Sequence, residues 1–128
     1  MELSWQQREW LTRRASQSAP QEACGFILAS GRIVEIRNIC PNPNRGFNMD
    51  PHDVLSKLGI QWDSEIVGVW HTHPSGTTHP SKTDQNALFD GSIKKDWAYF
   101  IATKDEVAQY NTETLVAQDD SFWTQYTA

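Results

Sequence analysis

The sequence has 128 residues, 38% of them apolar and 21% charged, and a formal net charge of −5. That length suits one domain, able to bury a core without disulfide or metal staples. The acidic balance disfavours a nucleic-acid surface, which leans on clustered Lys and Arg, and no apolar run reaches membrane-spanning length.

In chain order, Ser4 with Gln7 reads as a capping box, predicting a helix that runs to about Ser18. Leu3, Trp10, Leu11 and Ala15 give it one apolar stripe. Arg8, Arg13 and Arg14 form the only basic cluster, expected on its solvated face. No signal peptide opens the chain, so the expectation is a soluble cytoplasmic protein with Cys24 and Cys40 as reduced, buried core residues. Pro20 closes the first segment and leads into a strand over Glu22–Ala29. There Cys24, Phe26 and Leu28 share the face of Glu22, while Ala23, Gly25, Ile27 and Ala29 take the other. Both faces are apolar, which predicts a sheet covered on both sides. Glu22 is then an acid at the edge of a buried strand and needs a charged or hydrogen-bonding partner there.

Ser30-Gly31 predicts a turn and Arg32–Cys40 a returning hairpin strand. Pro41–Gly46 is a loop on composition, and Phe47–Met49 is read as a short strand. Asp50-Pro51 starts a second helix, with Val54, Leu55 and Leu58 as its buried stripe and Gly59 as its stop. His52, in its first turn, is expected in solvent. Glu65–Trp70 is an apolar run of strand length, followed by His71-Thr-His73-Pro74. A helix from Ser81 to about Asp90-Gly91 follows, then a hairpin of Ala98–Ala102 and Val107–Asn111 through Lys104-Asp105. Residues 113–128 are polar and patternless apart from Phe122, Trp123 and Tyr126. The six tryptophans lack a basic groove around them and read as core and interface residues. The fold class is α/β, a mixed sheet flanked by helices.

The chemistry centres on His71 and His73. Strand alternation turns both imidazoles to one face, where two can converge on a single ion. Zinc accepts two histidines with an Asp or Glu as third ligand and keeps a fourth position for water. Ser81-Lys-Thr-Asp84 reads as a capping box, the start of a helix that would hold the Asp84 carboxylate in place as the candidate third ligand. His79, between these groups, is expected to be solvated, and Trp70 and Thr72 face away from the histidines.

His71-Thr-His73-Pro74, six residues, then Ser81, two residues and Asp84 resembles the signature of the JAMM (MPN+) zinc metalloproteases, with every position filled. Pro20-Gln-Glu22-Ala-Cys-Gly25 resembles the segment that carries the family's upstream glutamate. The likeness runs from about Pro20 to Thr112. It implies a single domain over residues 1–128 with the cytidine-deaminase-like JAMM fold and Zn2+ held by His71, His73 and Asp84. It further implies Glu22 as the general base that activates a zinc-bound water, and Ser81 as the hydroxyl that supports the oxyanion. Thr72 stands where the family often has serine. The implied activity is hydrolysis of a peptide or isopeptide bond. Family members cut isopeptide bonds to ubiquitin, trim ubiquitin-like sulfur carriers, or serve as the protease module of phage tail-assembly proteins. Arg37–Pro43 and Phe47–Asp53 look most like the compact prokaryotic and phage tail types, in which a cysteine-peptidase domain often follows. The partners implied are a peptide or ubiquitin-like protein substrate, or phage tail proteins. The alternative is a non-catalytic MPN scaffold or a structural tail-assembly component, and no nucleic-acid or membrane partner is expected.

Overall fold

The computed structural model describes residues 1–81 and 96–111. Helix α1 spans Trp5–Ser18. Its start is the capping box expected from the sequence: Ser4 Oγ accepts from Gln7 N–H at 3.2 Å, and Gln7 Oε1 accepts from Ser4 N–H at 2.7 Å. Leu11 and Ala15 are buried on its inner face, and Leu3, just ahead of the helix, is buried with them. The Ala19–Pro20 peptide is cis, and Pro20 turns the chain toward the sheet.

The sheet has the strand order β2-β1-β3-β4-β5. Its strands are β1 (Cys24–Leu28), β2 (Ile33–Ile36), β3 (Ile66–Thr72), β4 (Ala98–Ala102) and β5 (Val107–Tyr110). β1 runs antiparallel to both β2 and β3, β3 and β4 are parallel, and β5 returns antiparallel to β4. β1 is buried along its whole length because it lies between two strands and under two packed faces.

The alternation read from sequence sorts the core into two layers. On one face Phe26, Leu28, Val69, Tyr99 and Ile101 pack with Val54 of helix α2 (Pro51–Leu58) and with Trp62. On the other, Ile27, Trp70, Phe100 and Ala102 pack against α1, where Trp10 meets Trp70 edge-on at 5.5 Å. Trp70, Phe100, Ile27 and Ile101 are all below 2% exposed. Burial of each such side chain contributes about 1.5–3 kcal/mol. Two glycines are demanded by this geometry. Gly31 sits at φ 92° in the β1–β2 turn. Gly25 has no room for a side chain: a Cβ would collide with the Val34 carbonyl and stand 2.8 Å from Trp70 Nε1.

Both outer strands have backbone groups taken by other elements, which blunts them as templates for further pairing. At β2, Arg37 N–H donates to Asp53 Oδ2 at 2.7 Å and Lys57 Nζ to Glu35 O at 2.6 Å. At β5, Arg8 Nη1 donates to Val107 O at 3.2 Å.

Several local expectations are corrected. β2 ends at Ile36, and Phe47–Met49 forms no strand, only an isolated bridge from Met49 to Asn38. Asn38 explains this, since its side chain draws the chain into a loop by accepting from both Cys40 N–H and Asn48 N–H at 3.0 Å. Cys40 is therefore half-buried in that loop and Cys24 alone is buried, although both are free thiols. Leu55 is 47% exposed, because α2 rests on the sheet through Val54 and Leu58. Arg14 is not simply solvated: it forms a bidentate pair with Glu35 at 2.5 and 2.8 Å, which raises the Arg14 pKa. His52 is exposed and His79 half-buried. The expected helix from Ser81 and the 113–128 segment lie outside the described residues, apart from Ser81 itself. Among the described residues no helix is long and apolar enough to cross a membrane.

Candidate metal centre

The site forms where the start of β1 meets the end of β3. Cys24 pairs with His71 across the two strands, so Glu22 and the histidines come to the same end of the sheet. β3 ends at Thr72, but its pairing with β4 reaches one residue further: His73 N–H donates to Ala102 O at 2.9 Å. The two-residue alternation therefore holds through His73, and both imidazoles turn to one face.

Their Nε2 atoms are 2.8 Å apart. Glu22 Oε1 stands 3.9 Å from His71 Nε2. One ligand atom from each of Glu22, His71 and His73 lies within 4.8 Å of the others, and all three side chains are buried. Two imidazole nitrogens and a carboxylate oxygen are donors that zinc prefers. The far ring atoms fit as well. His73 Nδ1 is 2.8 Å from the Thr77 carbonyl, which can only accept, so His73 carries its hydrogen on Nδ1 and leaves Nε2 as a lone pair. The residues present thus suit a metal.

Glu22 is held by its backbone. Its N–H donates to Pro43 O at 2.7 Å, and its carbonyl accepts from Asn38 Nδ2 at 2.9 Å. The next residue is tied to β3: Ala23 N–H donates to Thr72 Oγ1 at 2.9 Å, and Thr72 N–H donates to Ala23 O at 2.9 Å. Thr72 does face away from the histidines, as expected, and that orientation lets it fasten β1 beside them. A cavity of about 470 Å³ opens next to Glu22, lined by residues that include Arg14, Gln17, Gln21, Arg37 and Asn38.

Of the residues anticipated from sequence, Glu22, His71 and His73 meet in this cluster. Ser81 is exposed at the end of the loop that follows His73. Asp84 lies outside the described residues. Sequence reasoning missed Phe47, which stacks on His71 at 4.6 Å and 27°, and Tyr99, whose hydroxyl is 3.1 Å from His71 Nδ1. Alternation alone places Tyr99 on the face of Ile101, but only the parallel β3–β4 register brings that face to His71. Phe47 reaches the site from a loop and carries no periodic signal. The loop after Pro74 is also anchored: Tyr110 Oη donates to Thr78 O at 3.0 Å and Thr78 Oγ1 to Glu106 Oε1 at 3.1 Å.

Comparison with known proteins adds a family and a set of relatives. The model of prokaryotic homologues of the JAB domain matches residues 6–120. Tail tip assembly protein K of Escherichia phage N15 is 30% identical over 74 residues, which cover 56% of this chain. The chain spans only 29% of that protein's length. A desampylase of Haloferax volcanii is 27% identical over 100 residues, covering 71% of this chain and 68% of the relative. A protein of Desulfitobacterium hafniense solved in solution superposes with a TM-score of 0.60 at 24% identity, over 85% of this chain and 88% of that one. That last likeness speaks for the fold.

Proposed function

The chain belongs to the family of prokaryotic homologues of the JAB domain, and on that premise we propose that it is a zinc-dependent isopeptidase or peptidase acting on a protein substrate. The observation that carries this reading is the buried convergence of Glu22, His71 and His73. His71, His73 and Asp84 are the residues assigned to hold the zinc. When bound there, zinc supplies a Lewis acid and lowers the pKa of water to about 7.

The protein's own groups do the rest. Glu22 sits at the edge of the cavity with its backbone fixed on both sides, so its carboxylate can accept a proton and pass it to the leaving amine. Burial at 7% exposure keeps competing water from that carboxylate. Ser81, exposed at the end of the loop after His73, is assigned the donor role toward the carbonyl oxygen as it gains charge. The cavity beside Glu22 is lined mainly by polar side chains, which suits an extended polar segment of a substrate protein. The desampylase relative supports the isopeptidase form of the reaction. The tail tip assembly relative supports a second reading, in which the same fold serves phage tail assembly and the substrate is a tail protein.

The test is cleavage of a lysine isopeptide probe carrying a ubiquitin-like protein, using the full chain before and after chelation. Zinc-restorable cleavage is expected. Cleavage indifferent to chelator, or none with zinc supplied and a panel of protein substrates, would sink the proposal.

A further inference from the structure

Tyr99 is 1% exposed. Its ring meets His71 edge-on at 5.4 Å and 61°, while Phe47 stacks on the same imidazole at 4.6 Å and 27°. We propose that Tyr99 is a positioning residue of the metal centre: its hydroxyl, 3.1 Å from His71 Nδ1, sets the tautomer in which His71 offers its Nε2 lone pair. This rests on the metal reading above.

The contacts dictate where the ring hydrogens sit. His73 donates through Nδ1 to the Thr77 carbonyl, so its Nε2 is bare. To turn a lone pair toward a metal as well, His71 must carry its hydrogen on Nδ1, and the Tyr99 oxygen accepts from it there.

The phenol oxygen has lone pairs to accept that hydrogen, which a phenylalanine in its place would not offer. The division of labour follows: Phe47 fixes the plane of His71, and Tyr99 fixes which nitrogen is protonated. Removing such a partner of a ligating histidine costs roughly 10–100-fold in metal affinity.

The experiment uses the full chain near pH 8, where imidazoles are neutral, in two arms. In the first, zinc affinity of wild type and Tyr99→Phe is measured by competition with a chelator. The phenylalanine keeps the ring and loses only the hydroxyl. A loss of about 10–100-fold at unchanged stoichiometry is expected. In the second, 15N spectra of histidine-labelled wild type are recorded at one zinc per chain. His71 and His73 should both be in the Nδ1–H form. An affinity for Tyr99→Phe within about twofold of wild type overturns the proposal, as does a zinc-bound His71 without a hydrogen on Nδ1. Wild type that binds no zinc at all overturns the metal reading and this inference with it, so the two failures are told apart.

Discussion

Thr72→Val isolates the tie between the strand that carries Glu22 and the strand that carries the histidines. Valine has nearly the shape of threonine but no acceptor. Thr72 is fully buried, accepts from Ala23 N–H at 2.9 Å and lies 3.4 Å from Ser18 Oγ. Leaving that amide without its acceptor costs about 1–3 kcal/mol, and the new methyl group offsets up to about 0.8 kcal/mol. The net loss is about 1.5 kcal/mol. Unfolding entropy for 128 residues is about 0.27 kcal/mol/K, so Tm should fall by about 6 °C. Scanning calorimetry in the presence of chelator reads this without interference from metal. Amide exchange adds the local signature: the Ala23 N–H should exchange faster in Thr72→Val and remain protected in Thr72→Ser, which keeps the oxygen. A valine variant that melts within about 1 °C of wild type, with an equally slow Ala23 amide, would refute the reasoning.

Three further outcomes are expected. Gly25→Ala forces a Cβ into the Val34 carbonyl and against Trp70 Nε1, so it should destabilise by about 3 kcal/mol or more, seen as a lower midpoint in urea. Burial, with Glu35 and Glu22 nearby, pushes the Cys24 thiol up to about 12, so at about pH 8 only about one in ten thousand is thiolate. A thiol reagent should then modify Cys40 first in the native protein and find two thiols after denaturation. Arg37 N–H and Lys57 hold the Asp53 carboxylate below its ordinary 3.8, so its contribution is full at neutral pH and fades as pH drops through the carboxylate range. Asp53→Asn should cost less than about 1 kcal/mol near neutrality, because the pair is partly screened, and the gap in Tm should close toward acid.

Much of the fold was legible because local chemistry and global packing agree. The Ser4–Gln7 capping box, the Asp50-Pro51 helix start and the β4–β5 hairpin all follow from residue type and spacing. The His71–His73 pair follows from strand period alone. Strand order did not, because pairing is decided by contacts distant in sequence. For that reason Tyr99 was recognisable as a core residue but not as a neighbour of His71. The Arg14–Glu35 pair, 21 residues apart, was hidden in the same way. Leu55 misled because a helical stripe defines a direction but not how wide the buried contact is. Asn38 misled because four hydrogen bonds to one amide side chain outweighed the strand propensity of its neighbours.

The central claim is that Glu22 moves a proton while the histidines hold the metal. The direct measurement is zinc content and probe cleavage on the same samples of wild type, Glu22→Gln and Asp84→Asn. Glutamine keeps the size and hydrogen bonding of Glu22 but accepts no proton, so zinc should stay near one per chain while cleavage falls by roughly two to four orders of magnitude. Asp84→Asn, which removes the anionic ligand proposed here, should lose zinc and activity together. Near-normal cleavage by Glu22→Gln would contradict the account, and zinc loss from it as complete as from Asp84→Asn would place Glu22 among the ligands instead.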